Sequence, residues 1–307
     1  AENSLKCLHP VERDQVLTPG PGVKARLRNA GHILGSSILE LWIEEQDETI
    51  KVVFSGDLGK QDQLIVRDPH EIFDADYLFV ESTYGNRFHR TFEDSKKELV
   101  EAINYSVSHN EKILIPAFAV ERTQEILYIL GEFHREGLVP DIPIYLDSPL
   151  AIKATKIFRK NKKYYDEEAS AIVDAGFDPF DMPNLKFTPT TRESMAINEK
   201  PGSAIVIAGS GMCTGGRIVD HLEHGLQDSA NDIFFVGYQA KGTPGRRIIE
   251  KKVPVKAGIH ILTGYSAHAD QNMLVNWVKS MPAPPGEIRL VHGESSARHA
   301  LARALGV

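Results

Sequence analysis

The chain has 307 residues, 42% of them hydrophobic and 25% charged, and 35 Lys and Arg against 42 Asp and Glu give a formal net charge of −7. These values exclude a disordered or collagenous chain, and the acidic balance excludes a broadly basic coat. At ~150 residues per domain, the length predicts about two domains. The two cysteines exclude a disulfide framework and favour a reducing, cytoplasmic compartment. No apolar run reaches ~18 residues and no signal-peptide pattern opens the chain, so no membrane partner is expected.

The predicted elements change character along the chain. Strand-like runs come first: KARLRNAG, SSILELWIEE, TIKVVFSGDLG and DYLFVESTYGN. From about Thr91, strands alternate with amphipathic helices, which predicts parallel βαβ units. After Lys251 come the strand KAGIHILTGYSAHAD, the helix QNMLVNWVKSM, the strand EIRLVHGE and the helix SSARHALARALGV. We therefore predict a mixed α/β fold in which an α/β module, residues 93–250, is inserted between more β-rich stretches, residues 1–92 and 251–307.

Five side chains with metal-binding or acid–base chemistry lie in turns at strand ends. They are His32 in AGHILGSS, Asp57 in VVFSGDLG, Glu81 in LFVESTYG, His268 in GYSAHAD and His292 in RLVHGE. Ligands collect at strand ends because the backbone is released there while the scaffold stays rigid. His and Asp are ligands that Zn²⁺ prefers, and a carboxylate can bridge two metal ions. One such residue alone would be interpreted as structural, but five together predict a shared site.

Nine motifs follow one another along essentially the whole chain. They are AGHILGSS, FSGDLG, ESTYGNR, PAFAVERTQE, DSPLA, SGMCTGGR, VGYQAKGTPGR, GYSAHAD and LVHGE. In this order they resemble the β-CASP metallo-β-lactamase ribonucleases, in the branch related to the endonuclease subunit of the eukaryotic pre-mRNA cleavage and polyadenylation machinery. The resemblance implies a metallo-β-lactamase αββα sandwich, incomplete here, formed by residues 1–92 and 251–307. A β-CASP domain, residues 93–250, would interrupt it.

The resemblance also implies the roles of the five residues. His32, Asp57 and His292 would bind two zinc ions with Asp57 bridging them, His268 would donate a proton to the leaving group, and Glu81 would orient His268. The implied activity is a zinc-dependent ribonuclease that cleaves single-stranded RNA with a metal-activated water. Endonuclease action is expected first and exonuclease action is left open. Two metal ions lower the pKa of a bridging water, and a Glu-oriented His can protonate the departing ribose oxygen. A homodimer is expected from the habit of the family.

A second group of residues is predicted to contact RNA. The loop SGMCTGGR offers backbone N–H groups to a phosphate, and the alternative is that it is a tight turn closing a βα unit. Arg122 can meet a phosphate or pair with an acidic neighbour, and Tyr84 can stack a base or pack in the core. The resemblance places the loop and His221 in the RNA cleft. The full set is Tyr84, Arg122, Ser210, Gly211, Met212, Thr214, Gly215, Gly216, Arg217 and His221.

The principal metal motif of the family, HxHxDH, does not occur in these 307 residues. Two interpretations compete: truncation of a normal enzyme, or a catalytically inactive RNA-binding pseudo-nuclease subunit. We favour truncation because the other five residues survive in motif context, and we expect the chain by itself to hold two zinc ions weakly and to be inactive. A serine or cysteine hydrolase is disfavoured because SGMCTGG lacks the GxSxG elbow. A small-ester hydrolase would have no use for the inserted module.

Overall fold

A computed structural model describes residues 2–262 and 264–307, which form two compact units. Unit 1 comprises Ala1–Phe88 and Ala267–Val307, and unit 2 comprises His89–Ser266. Elements are numbered along the whole chain. Within the described ranges, no helix has both the length and the apolar character needed to cross a membrane.

Unit 1 is built on a six-stranded sheet with the strand order β1-β2-β3-β4-β5-β12. Its strands are β1 (Val16–Gly20), β2 (Val23–Asn29), β3 (Ser37–Glu45), β4 (Glu48–Phe54), β5 (Tyr77–Glu81) and β12 (Glu287–Val291). Its helices are α1 (Glu2–Leu5), α9 (Gln271–Lys279) and α10 (Ser295–Leu305). The first four strands form an antiparallel meander, whereas β5 runs parallel to both β4 and β12.

One face of this sheet forms the core of unit 1. Ile38 in β3, Val53 in β4 and Leu78 in β5 are fully buried and belong to one cluster with Leu274 of α9 and Leu301 of α10. Side chains alternate between the two faces of a strand, so the period-2 apolar pattern selects which residues meet the helices. The predicted strands and terminal helices of this unit therefore follow from hydrophobic periodicity.

Unit 2 is an alternating α/β structure around a second six-stranded sheet. Its strands are β6 (Lys112–Pro116), β7 (Ile144–Asp147), β8 (Leu185–Phe187), β9 (Ile205–Ala208), β10 (Asn231–Phe235) and β11 (Gly258–Ile261). Its α-helices are α2 (Phe92–Ser108), α3 (Arg122–Glu136), α4 (Pro149–Lys160), α5 (Glu167–Asp174), α6 (Thr191–Glu199), α7 (Arg217–Gly225) and α8 (Pro244–Ile249), and a 3₁₀ turn covers Lys162–Tyr164.

The sheet of unit 2 has the order β11-β10-β6-β9-β7-β8, and all its pairings are parallel. Leu114, Val206 and Ile233 from three neighbouring strands pack with Ile218 and Leu222 of α7. Strands buried in a parallel sheet read as continuous apolar runs, as KILIP and AIVIA do. The predicted mixed α/β architecture with parallel βαβ units is confirmed.

The compact units divide the chain at different places from the predicted domain boundaries. The predicted boundaries lie at 92/93 and 250/251, whereas the units divide at 88/89 and 266/267. The second difference arises because β11 pairs with β10 and so extends the sheet of unit 2. Strand β1 and the elements α5, β8 and α6 were not predicted, because short segments without strong periodicity give little signal.

Gly59 occupies a position in unit 1 that leaves no room for a side chain. Its N–H donates to the Ala30 carbonyl at 2.8 Å, and a Cβ on Gly59 would lie 1.8 Å from the Gly31 carbonyl oxygen. We therefore expect Gly59→Ala to lower the free energy of unfolding by roughly 1–3 kcal/mol or more, measured by urea denaturation. Gly20→Ala is the control, because a Cβ there meets nothing within 4 Å. Equal losses for the two variants would contradict this account.

Candidate active site

His32 lies in the turn between β2 and β3, and hydrogen bonds fix its backbone. The His32 N–H donates to Ser36 Oγ at 3.1 Å, and Gln63 Nε2 donates to the His32 carbonyl at 2.9 Å. Gly31 has φ +67°, and a Cβ there would lie 2.7 Å from Pro69, so this position needs glycine. The sequence AGHILG therefore forms a tight turn that holds the imidazole beside the end of the sheet.

Glu81 ends β5 with a fully buried carboxylate that backbone groups hold in place. The Leu58 N–H donates to Glu81 Oε1 at 2.7 Å, and the Thr83 N–H donates to Glu81 Oε2 at 3.2 Å. His268 Nδ1 lies 3.2 Å from Glu81 Oε1. The structure thus brings these two residues together in the arrangement in which a carboxylate orients an imidazole.

Asp57, which follows β4, lies close to three histidines. Asp57 Oδ1 lies 3.1 Å from His292 Nδ1, and β12, which ends just before His292, runs beside β5. Donor atoms of His32, Asp57 and His268 lie within 4.8 Å of one another, and the rings of His32 and His268 are 4.3 Å apart at their centroids. All five residues predicted to share a site therefore lie together in unit 1. His268, predicted as a proton donor, lies within the candidate ligand cluster.

His32 has the electrostatic character of a metal-binding histidine. Burial, and next the adjacent His268, lower the pKa of His32, while Asp57, Glu81 and the Ala267 carbonyl oppose that shift. The neutral imidazole is the form that binds metal. His32 Nδ1 is buried, and no described residue offers it a hydrogen-bond partner. A buried polar atom without a partner costs free energy, so the position fits a nitrogen that binds a metal ion.

Tyr84, one of the predicted RNA contacts, is only 8% exposed. Its ring centroid lies 5.9 Å from that of His268, and the Arg87 guanidinium lies 5.2 Å from the Tyr84 ring. This environment agrees with the alternative of a packed tyrosine and leaves little of the ring for a base to stack on.

Asp147, at the end of β7, is the centre of a buried network in unit 2 that the sequence analysis did not identify. Its carboxylate is fully buried. It accepts hydrogen bonds from four side chains, namely Thr188 Oγ1 at 2.7 Å, Ser194 Oγ at 2.5 Å, Arg217 Nη1 at 2.6 Å and His221 Nε2 at 2.7 Å. The signal was present, since Asp147 follows an apolar strand in the same way as Asp57 and Glu81.

This network changes the interpretation of two predicted RNA contacts. His221 is 1% exposed, and its second ring nitrogen, Nδ1, lies 2.8 Å from Asn198 Oδ1. Arg217 also donates to the carbonyls of Thr188 and Pro189. Both side chains therefore have partners inside unit 2, where they connect α7 to Asp147 at the end of β7.

Arg122 begins α3, as predicted, but it is buried and pairs with Glu125. The ion-pair alternative considered from the sequence therefore describes its contact, with the difference that the pair is buried instead of exposed. A guanidinium held by a buried carboxylate is a weaker candidate for a phosphate contact than a free one.

The glycine-rich loop has a defined internal structure. The Ser210 N–H donates to the Gly215 carbonyl at 2.8 Å, and Ser210 Oγ accepts from the Thr214 N–H at 3.0 Å. Gly216, the residue before α7, has φ +74°, and a Cβ on it would lie 2.5 Å from the Gly209 carbonyl oxygen. The loop therefore closes a strand-to-helix turn after β9, and Gly216 must be glycine for that turn to close.

Comparisons with known proteins agree with this architecture. The Beta-Casp domain model matches residues 123–248, and the model described as a Zn-dependent metallo-hydrolase RNA specificity domain matches residues 252–306. Ribonuclease TTHA0252 of Thermus thermophilus is 38% identical over 316 residues, covering 100% of this chain and 70% of the relative. The RNase J-like protein of Methanocaldococcus jannaschii is 32% identical over 310 residues, with coverages of 96% and 68%.

Longer relatives match as well. The transcription termination factor FttA of Methanosarcina mazei is 32% identical over 313 residues, and the chain spans 96% of its own length but 48% of that relative. The chain belongs to the β-CASP family of metallo-β-lactamase-fold ribonucleases. The resemblance stated from the sequence motifs is thereby confirmed.

The Asp147 network predicts a specific dependence of stability on pH. Burial alone would raise the pKa of Asp147, but hydrogen bonds from His221, Ser194, Thr188 and Arg217 outweigh burial and lower it to about 2. Because the folded pKa lies below the unfolded value of 3.8, the carboxylate contributes roughly 2 kcal/mol above pH ~4, lost as pH falls towards 2. Asp147→Asn should therefore unfold more easily than wild type at pH 7, and the difference should shrink towards pH 3.

Chemical denaturation at several pH values between 3 and 7 measures this difference. Asp181→Asn, at an exposed aspartate of the same unit, is the matched control and should show no such trend. A difference between wild type and Asp147→Asn that stays constant with pH would refute the assignment.

Proposed function

We propose that this protein is a zinc-dependent ribonuclease that hydrolyses phosphodiester bonds of single-stranded RNA with a metal-activated water, mainly as an endonuclease. The observation that carries the proposal is the cluster of His32, Asp57 and His268 within 4.8 Å, with Glu81 held against His268. Family membership supports RNA as the substrate, and the matched metallo-hydrolase domain supports a metal cofactor. Exonuclease action, a homodimer and a cytoplasmic location stay predictions.

His32, Asp57 and His292 are the residues that would hold zinc. Their donors, two imidazoles and a carboxylate, suit Zn²⁺, and three protein ligands with one open position are typical of catalytic sites. The buried Nδ1 of His32, without a described partner, and the contact between Asp57 and His292 support this assignment. When bound, zinc supplies a lowered pKa for water and stabilises charge on the phosphate.

His268 is the proton donor in this proposal. Its Nδ1 faces Glu81, which orients the ring, and a histidine oriented in this way can transfer a proton to the departing ribose oxygen. An imidazole bound to zinc cannot also give a proton to the leaving group, so the two roles exclude each other. The side chain is 24% exposed, which leaves the ring accessible to a substrate.

A catalytically inactive RNA-binding pseudo-nuclease is the second candidate. Such a protein would share the fold and the RNA substrate class of its relatives but would lack cleavage. It differs from the first candidate in one measurable respect: the protein would bind single-stranded RNA and leave it uncut in the presence of zinc.

The test uses protein expressed from its complete coding sequence, with zinc content and cleavage of end-labelled single-stranded RNA measured for each variant. His32→Ala and His292→Ala should lose bound zinc. His268→Ala should keep its zinc and cut roughly 10²–10⁴-fold more slowly, which is the usual contribution of general acid catalysis. His299→Ala, at an exposed histidine of the same unit, should match wild type in both measurements.

Each outcome separates the alternatives. Loss of zinc in His268→Ala would make His268 a ligand and remove it as the proton donor. Full cleavage by His268→Ala would remove it from the reaction. Wild-type protein that binds RNA and zinc without cutting would overturn the ribonuclease proposal in favour of the pseudo-nuclease.

A further inference from the structure

Phe118 is an exposed aromatic residue beside the glycine-rich loop of unit 2. It lies two residues after β6, and 44% of its surface is accessible to solvent. A single exposed phenylalanine is common on protein surfaces and needs no explanation. The position of Phe118 is different because it neighbours the glycine-rich loop, which the sequence predicts to contact RNA.

The Phe118 ring lies directly against Gly211. A Cβ on Gly211 would come within 2.8 Å of Phe118 Cδ2 and 3.0 Å of Phe118 Cε2. The edge of the ring therefore occupies the space that a side chain at position 211 would need. Because β6 and β9 are neighbours in the sheet, Phe118 and the loop Ser210–Gly216 emerge at the same carboxyl edge, where α/β proteins bind ligands.

The loop next to this ring differs in how its carbonyls and its N–H groups are hydrogen-bonded. The Gly211 carbonyl accepts from Gln239 Nε2 at 2.7 Å, and the Met212 carbonyl accepts from the Gly245 N–H at 3.2 Å. In contrast, the N–H groups of Gly211 and Met212 have no acceptor among residues 2–262 and 264–307. The two carbonyls are thus hydrogen-bonded, whereas the N–H groups of Gly211 and Met212, next to the exposed ring, are not hydrogen-bonded to any described residue.

The backbone that carries Phe118 is held firmly. Its carbonyl accepts from the Thr123 N–H at 3.2 Å and from Thr123 Oγ1 at 2.7 Å, and the Ala117 N–H donates to the Ala208 carbonyl at 3.0 Å. An aromatic ring presented on a fixed backbone loses little conformational entropy when a ligand packs on it.

We propose that Phe118 stacks a nucleobase of the RNA while the N–H groups of Gly211 and Met212 bind a phosphate of the same strand. The proposal rests on the proposed RNA substrate but not on cleavage. Stacking on an aromatic ring tolerates any base, because every base has a π-face. The subsite would therefore recognise single-stranded nucleic acid without strong sequence preference.

Equilibrium binding tests the proposal with zinc-loaded full-length protein at 4 °C and two probes of equal length. One is a phosphorothioate-linked RNA heptamer that resists hydrolysis, and the other has the same backbone with abasic spacers. Phe118→Ala should weaken binding of the RNA ~5- to 150-fold, the loss expected for one stacked base. Its binding of the abasic probe should stay at the wild-type level.

Two further variants keep the test decisive. Phe118→Trp should bind the RNA as tightly as wild type, and RNA should quench its added fluorescence more than the abasic probe does. Phe177→Ala is the matched control, since Phe177 is a 59% exposed phenylalanine of the same unit. Circular dichroism shows whether each variant is folded.

The outcomes distinguish this inference from the proposed function. Equal RNA affinity for Phe118→Ala and wild type overturns the stacking role even when the protein cuts RNA. An equal loss for both probes also overturns it, because the ring would then act on the backbone alone. Protein that binds RNA through Phe118 without cutting overturns the ribonuclease proposal and leaves this inference standing. Failure of wild type to bind the RNA overturns both.

Discussion

A buried carboxylate at the end of a strand organises each unit of this protein. An ionised carboxylate removed from water is stable only when hydrogen bonds satisfy its oxygens. Glu81 in unit 1 meets this requirement with the N–H groups of Leu58 and Thr83 and with His268. Asp147 in unit 2 meets it with side chains from β8 onwards, including His221. The need to satisfy the charge therefore fixes the position of a histidine in both units.

The contact with a buried carboxylate has opposite consequences for His268 and His221. His268 contacts Glu81 through Nδ1, remains 24% exposed and lies beside His32. His221 is 1% exposed, and both its ring nitrogens face oxygens of the protein. His268 is thus suited to chemistry and His221 to structure. This distinction depends on the tertiary surroundings of each ring, and the residues adjacent in the sequence do not indicate them.

The strands and the polar residues that follow them can be predicted from the sequence, because both depend on local pattern. The period-2 alternation of SILELWIEE and the apolar run KILIP predict strands, and polar residues directly after such runs mark their ends. The sequence also named all five residues that the structure gathers in unit 1. It did not indicate that β12 pairs with β5, which brings His292 to Asp57 across more than 200 positions.

Three of the predicted RNA contacts have internal partners in the structure. Arg122, Arg217 and His221 were predicted to contact RNA from their charge or hydrogen-bonding capacity, and the structure commits all three to internal partners. Phe118 was not selected, because a phenylalanine in an apolar motif is normally read as core. Burial and exposure are tertiary properties, and they decide whether a chemically suitable side chain is available to a ligand.

These internal ion pairs affect how an acidic chain can bind RNA, which is a polyanion. The chain has a net charge of −7, and two of the arginines predicted to contact RNA, Arg122 and Arg217, are paired to Glu125 and Asp147. Oriented backbone N–H groups carry partial positive charge without adding a titratable side chain, and a stacked ring binds a base without using charge. Binding through such groups releases fewer counterions than binding through Lys and Arg, so it depends less on salt. A subsite formed by Phe118, Gly211 and Met212 is therefore compatible with the acidic composition, because it recognises RNA by shape and dipoles instead of by net charge.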